Sequence, residues 1–415
     1  MSKYWRYLIY CLFFLLPWQT KLILRQGVLN GDVWEYGLVA IYATEIFLWL
    51  LSFFFLVSGG WKQIKLNKKQ KWFTVLVGLF LLVNFFVAKD KMIFVQQLVH
   101  LLEASWLVWL VKKIKPDFRF LCLSFGMGLL IQAGLGIAQF LTQTTWANRW
   151  FGLTLHNPAV AGSSILENWS GRWLRAYGGL THPNVLGGYL VLGIILGLIF
   201  LAFFLKPQKI RLAVLIGEGI LTTALFFTFS RSAGLSLIVG LVSVIIISRP
   251  RLLAEWKKII PSLGLIIILL GSLTWIFQPL VFGRVTGEGR LEQQSVTERL
   301  NSYEEVQQII KKNFWLGVGL GNYTLAVYQQ TDSLRQPWDY QPIHNTFVLL
   351  LAEVGLAGCL MFLFFGYKFY HLNYSWFLFL LPLFLLDHYF WSSLSGLWLL
   401  AATISFSFLL PQRSS

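Results

Sequence analysis

Charge is scarce in this chain. Only 13% of its 415 residues are Asp, Glu, Lys or Arg, against roughly 25% in a soluble domain. That excludes an ordinary water-soluble fold. Cysteine is nearly absent: Cys11, Cys122 and Cys359 lie far apart in apolar runs, too few for a disulfide framework. There is no Asp-x-Asp, no His/Cys ligand cluster and no Walker loop, so the usual signatures of metal and nucleotide chemistry are missing. Asp32 and Glu35 form the one acidic pair of the first loop, where a metal-dependent centre would have to start. Metal-free chemistry, with no cofactor, is the simpler expectation.

Apolar sequence fills the space that charge leaves. Hydrophobic residues make up 56% and aromatic residues 17%, and the mean hydropathy is +0.64. Apolar runs recur at about 4–24, 37–58, 72–88, 92–111, 119–141, 184–205, 210–228, 232–248, 261–280, 343–366, 374–386 and 389–410. Most approach the ~20 residues needed to cross a bilayer. Backbone groups must be paired within lipid, and continuous rather than alternating hydrophobicity means helices, not barrel strands. The expectation is an all-α polytopic membrane protein with about 12 transmembrane helices, forming a single membrane domain over 1–415.

The net charge of +16 does not point to nucleic acid, because its placement follows membrane topology. Lys3 and Arg6, the lysines of 59–71, the run Lys112 to Arg119, Lys206 to Arg211, Arg249 to Lys258, Lys368 and Arg413 fall in alternate connections, with only Asp117 and Glu255 among them. The positive-inside bias makes that side cytoplasmic, together with both termini. Lys21 is the basic residue expected inside a span, snorkelling outward. The first helix follows a basic segment without a small-residue cleavage site, and reads as an uncleaved anchor.

Two connections are long, 142–183 and 281–342, and both are external by the charge argument. Long loops of this kind are usually functional or disordered. The first carries Trp146, Trp150, Phe151, Trp169, Trp173 and Tyr177, amphipathic aromatics suited to a membrane interface or to sugar stacking. The second contains an amphipathic helix. Ser295 and Glu298 have capping-box spacing, and Val296, Leu300, Tyr303, Val306 and Ile310 form one apolar stripe ending near Lys312-Asn313. Beyond it, Gly317, Gly319 and Gly321 read as a tight turn, since the spacing of a phosphate-binding glycine loop is not met.

His344 closes the second loop and opens an apolar run, in Pro342-Ile343-His344-Asn345-Thr346-Phe347. Imidazole is the common base whose ordinary pKa, about 6.5, leaves it largely neutral at external pH. On an unbroken helix Gly355 would share its face, with Gly358 close by, while Glu353 would point away. His182, ahead of Pro183 and Asn184, is a second candidate, equally readable as a helix-entry residue. His100 shares a helix face with Glu103, which is more often a buried structural pair than a site. Arg175, Arg231, Arg284 and Arg299 all fall on the external side, Arg299 in the first turn of the loop helix. Guanidinium binds phosphate through a rigid two-pronged fork and stays charged. An imidazole at the lipid boundary beside several arginines suggests chemistry on an anionic, lipid-borne substrate.

These residues carry a resemblance. The run from His344-Asn345-Thr346-Phe347 through Glu353-Val354-Gly355 resembles the signature of the O-antigen ligase and polymerase superfamily of polytopic membrane glycosyltransferases. Its companions are Arg175 with Gly179 and Pro183-Asn184, the Ser230-Arg231 turn, Arg299 in the loop helix, and Asn313 to Asn322. The likeness covers roughly 170–360; the earlier spans match only in number and topology. It implies a large external loop over a catalytic cavity. It also implies inverting, metal-independent transfer of a glycan from polyprenyl (undecaprenyl) diphosphate to an acceptor hydroxyl. His344 would be the general base, and Arg231, Arg175 and Arg299 the diphosphate-binding cations. His182, Asn184, Asn345 and Arg284 are secondary candidates.

The expected protein is a bacterial plasma (inner) membrane ligase acting on the external face. Its partners would be the lipid-diphosphate-linked donor, a glycan or lipid acceptor and membrane lipids, without nucleic acid. A repeat-unit polymerase or a protein O-oligosaccharyltransferase would use the same donor chemistry. A flippase for the same lipid would need the spans and arginines but no base at His344.

Overall fold

The computed structural model describes residues 4–65, 67–160, 162–168, 171–204, 208–247, 249–287, 289–368 and 377–410. Lys3, Trp169, Lys206, Arg413 and the start of the 374–386 run lie outside the described residues. The helices are α1 (Tyr4–Leu15), α2 (Ala43–Val57), α3 (Lys68–Val87), α4 (Lys91–Ile114), α5 (Phe118–Thr142), α6 (Pro183–Phe204), α7 (Gln208–Phe227), α8 (Arg231–Ile247), α9 (Arg249–Ile276), α10 (Gln278–Thr286), α11 (Arg290–Lys312), α12 (Tyr323–Gln330), α13 (Thr346–Lys368), α14 (Leu380–Leu386), α15 (Tyr389–Ser392) and α16 (Leu394–Leu409). Short strands β1 (Lys21–Arg25), β2 (Val28–Leu29), β3 (Asp32–Val33), β4 (Val39–Tyr42), β5 (Ile165–Asn168) and β6 (Gly171–Leu174) form the antiparallel pairs β1–β4, β2–β3 and β5–β6.

Among the described residues, seven helices are long and apolar enough to cross a membrane, within 68–87, 91–114, 118–142, 183–204, 210–227, 257–276 and 346–364. Four shorter apolar helices cover 4–15, 43–57, 231–243 and 394–409. The chain is an all-α polytopic membrane protein. Two of the expected spans are shorter than their apolar runs. The run 4–24 is helical only to Leu15, because Pro17 follows and cannot continue a helix. Lys21 therefore sits in β1, opposite Tyr42, rather than inside a span. The run 37–58 begins with β4 and turns helical at Ala43. Of the run 374–386, the described part contributes the seven-residue α14.

Helix α6 is the centre of the bundle. It has no charged residue and is apolar on all sides, the pattern of a helix surrounded by others, and 94% of its most apolar window is buried. Gly187 lets α8 approach: a Cβ there would stand 2.6 Å from the Ala233 Cβ and 3.3 Å from the Ser230 Cβ. That close approach brings the first turns of α6 and α8 together. A second, smaller core of Phe80, Phe94, Val306, Ile309, Tyr323, Tyr340, Ile343 and Leu349 joins α3 and α4 to the segment 306–349.

Helix α13 is broken. Gly355 adopts φ 63°, ψ −175°, a region essentially reserved for glycine. The interrupted ladder is repaired by the glycine turn: Leu356 and Ala357 N–H donate to the Phe314 and Trp315 carbonyls, while Val318 and Gly319 N–H donate to the Ala352 and Glu353 carbonyls. Irregular backbone inside a membrane protein persists only where such pairing is supplied. The Glu353 carboxylate accepts from the Trp391 indole at 2.7 Å and from Gly321 N–H at 2.8 Å, fixing the turn against α15. Gly317, Gly319 and Gly321 all have positive φ, as the tight-turn reading expects.

Candidate functional site

Three helix N-termini meet at one buried acid. Asn184 lies in the first turn of α6, Ser232 in the first turn of α8, and Thr346 opens α13. Asp387 lies between α14 and α15. Its carboxylate accepts from the Asn184 amide at 2.8 Å and from the Ser232 hydroxyl. Its backbone carbonyl accepts from the Thr346 hydroxyl at 2.9 Å. Helix N-termini carry unpaired N–H groups and partial positive charge, so an anion is favoured here. Asp387 is only 2% exposed, and burial alone would raise its carboxyl. The adjacent His344 imidazole, the Ser232 hydroxyl and the Asn184 amide outweigh burial and hold it below the usual carboxylate range.

His344 Nδ1 stands 3.8 Å from Asp387 Oδ1, an ion-pair separation too long for a hydrogen bond. The ring packs edge-on to His388, with centroids 5.1 Å apart. His344 precedes α13 rather than sitting on it. Asn345 caps the helix, its side-chain oxygen accepting from the Phe347 and Val348 N–H groups at 3.1 Å. The shared face expected for His344 and Gly355 is therefore not formed, because the helix starts after one and breaks at the other. What approaches Gly355 is the turn at Trp315 and Gly317.

Arg175, just beyond β6, is buried and held by three side-chain hydrogen bonds. Its guanidinium donates to the Thr228 carbonyl at 2.7 Å, the Ser164 hydroxyl at 2.8 Å and the Asn184 side-chain oxygen at 2.7 Å. Burial first, and the Arg284 guanidinium second, press its pKa down; it remains cationic at neutral pH. Arg175, Asn184, Asp387 and His344 thus form one connected line, with a fixed cation at one end and the imidazole at the other.

A second group of cations borders this line. Arg284, on α10, pairs with Glu292 of α11 and donates to the Phe229 carbonyl at 3.4 Å. Arg231, the first residue of α8, places Nη2 3.5 Å from the other oxygen of Glu292, and its side chain is 38% exposed. Arg299 adds positive potential at both Arg231 and His388, and its Nε is buried without a hydrogen-bond partner. The four singled-out arginines are linked to the surroundings of His344 through Asn184, Asp387, Glu292 and His388, but not by the route the sequence suggests. Helix α11 starts at Arg290, five residues before Ser295, because Arg-Leu-Glu-Gln-Gln is itself a good helix-forming run. The Ser295–Glu298 capping box is not formed, and Arg299 lies in the third turn rather than the first.

His182 sits in the same neighbourhood, its Nδ1 accepting from Asn184 N–H at 3.1 Å. Burial, then Arg175, press its pKa well below the ordinary histidine value, so it is neutral at the start of α6. His100 faces Glu45, with Nε2 3.4 Å from the carboxylate, while Glu103 accepts from the Trp49 indole; the pair expected from spacing is exchanged for one between helices. Asp32 is exposed and bonds the N–H of Val33. Among the described residues no group of three or more His, Cys, Asp or Glu side chains is placed to hold a metal ion.

Sequence reasoning passed over Asp387, Glu292, Ser232 and His388. An acid between two apolar runs, in Leu386-Asp387-His388-Tyr389, is itself a signal, since such a charge is costly unless paired. Glu292 had no comparable mark, being one acid of several on a polar helix. His388 shares 2.6 Å with the Ser392 hydroxyl, and burial first, then the positive potential of His344, press its pKa down to about 3.

The arrangement offers an imidazole facing a carboxylate at ion-pair distance, with guanidiniums beyond it. It can accept a proton and hold an anion. No curated protein matches the chain. Residues 218–363 match the family model described as O-Antigen ligase, a stretch that holds Arg231, Arg284, Glu292, Arg299 and His344 and stops before Asp387. Together with the apolar helices, this match supports a membrane protein of the O-antigen ligase superfamily.

Proposed function

We propose that the protein transfers a glycan from a polyprenyl-diphosphate carrier to an acceptor hydroxyl, at the outer face of a bacterial inner membrane. The acceptor oxygen attacks the anomeric carbon while His344 takes its proton. The bond from that carbon to the diphosphate breaks on the opposite side, its electron pair leaving with the lipid diphosphate, so the configuration inverts. Asp387 holds the imidazole and stabilises the imidazolium that forms. Arg175, Arg231, Arg284 and Arg299 offset the charge developing on the leaving group. Diphosphate already leaves well, so positioning, one base and fixed positive charge suffice without a metal.

The observation that carries this reading is the convergence of an imidazole–carboxylate pair and four guanidiniums on one end of the helical bundle. Ligation to a lipid or surface acceptor is the reading favoured; extension of a repeat-unit glycan uses the same site chemistry.

Purified protein incubated with a defined lipid-diphosphate-linked glycan and separate lipid, glycan and peptide acceptors tests it. Transfer is expected with one acceptor class, and is lost in His344→Ala while the variant still binds donor. Transfer at a near-normal rate by His344→Ala would rule out the base assignment. Movement of the intact donor across vesicles, without bond cleavage, would instead favour a flippase.

A further inference from the structure

Glu292 is a charged group at the site that the proposed chemistry does not use. Its carboxylate is 7% exposed and stands between two guanidiniums, paired with Arg284 on one oxygen and 3.5 Å from Arg231 on the other. That second oxygen has no hydrogen-bond partner. Nearby, Arg299 Nε is equally unmatched, and Arg175 also feels the Glu292 charge. Among the described residues, the carboxylates whose charge reaches Arg175 and Arg231 are Glu292 and Asp387, two acids beside four guanidiniums. A diphosphate diester carries two negative charges, and phosphate oxygens make the forked contact with guanidinium better than a carboxylate oxygen at 3.5 Å does.

The element that carries Glu292 is held unevenly. The C-terminal half of α11 is anchored, with Val306 and Ile309 buried and Glu305 paired to Arg335. Its N-terminal half leaves Val296 at 44% and Leu300 at 64% exposure. There it is tied by Glu292 and by the looser contact of Arg290 with Glu167 at 3.7 Å. The half that bears Glu292 is thus the half with little packing to lose.

We infer that Glu292 is a built-in substitute for a phosphate group, occupying the donor's anion site and leaving it when a diphosphate arrives. This rests on the diphosphate reading given above. The alternative is that Glu292 is a permanent brace holding Arg231 and Arg284 in place, and the two roles predict opposite signs.

The test is calorimetric binding of inorganic pyrophosphate, without metal, to the full-length protein in detergent, with Glu292→Gln beside wild type. If Glu292 competes, the variant binds tighter on the order of tenfold, about 1.4 kcal/mol. Unchanged or weaker binding by the variant, with wild type still binding, makes Glu292 a brace and overturns the inference while the diphosphate reading stands. Failure of both proteins to bind pyrophosphate overturns both. Should the variant not fold, amide hydrogen exchange of 290–300 in wild type decides. Faster exchange with pyrophosphate supports displacement, and unchanged or slower exchange overturns it.

Discussion

Replacing Asp387 with Asn keeps the shape of the side chain and removes its charge. The amide can still meet Asn184 and Ser232, so the meeting point of α6, α8 and α13 is retained. What is lost is a carboxylate 3.8 Å from His344 Nδ1, just as that ring takes on a proton. Two unit charges at this distance interact by about 4 kcal/mol at an effective dielectric near 20, and by about half that in a wetter site. Converted to rate, that range is a fall of ~40-fold to ~10³-fold in kcat. The loss belongs to the step in which the imidazolium forms, so the donor KM should move little. The assay is single-turnover release of lipid diphosphate from a labelled donor, with thermal unfolding run in parallel. A variant that folds normally and turns over within about threefold of wild type, less than 1 kcal/mol, would refute the reasoning.

Other perturbations read the same structure from different sides. Arg231→Lys removes the forked contact while keeping the charge, and should raise the donor KM about tenfold; unchanged kinetics would make this arginine structural. Arg175→Lys leaves at least one of the Thr228, Ser164 and Asn184 acceptors unmet, and should cost about 1–3 kcal/mol in folding stability, visible as a lower Tm. Gly355→Ala sets a Cβ 2.4 Å from the Trp315 backbone at φ +63°, so a loss of Tm and of detergent-stable protein is expected. A neutral, unperturbed histidine in the unfolded chain takes up its proton near pH 6.5, whereas folded His388 resists to about pH 3. Between those values protons favour the unfolded state, and stability falls as pH falls. The Tm difference between pH 7 and pH 5 should therefore narrow in His388→Gln.

Much of the fold was legible because lipid imposes a simple rule, and apolar runs report it directly. The rule says less where a run ends. Leu22-Ile23-Leu24 looks like a continuing span, yet Pro17 has already stopped the helix and the strand finds a partner in 39–42. Gly355 looked like a packing residue on a straight helix, because nothing local announces that 314–319 will supply the missing backbone partners. At the site, His344 and the arginines stood out by residue type and by their place at span ends. Asp387 was hidden by distance: it is 43 positions from His344, and meets it only because three helix N-termini crowd around one anion. Glu292 was hidden by its company on a polar helix. Its significance is a matter of which cations it faces, and spacing along one helix does not contain that.

A structure of the full chain bound to a non-transferable lipid phosphonophosphate–glycan tests the central claim most directly. The account places the phosphonophosphate within hydrogen-bond reach of Arg231 and at least one of Arg284 and Arg299. It places the anomeric carbon's open side toward His344, with Asp387 still behind the ring. A headgroup bound away from these guanidiniums, or an imidazole facing the leaving group instead of the acceptor side, would contradict it.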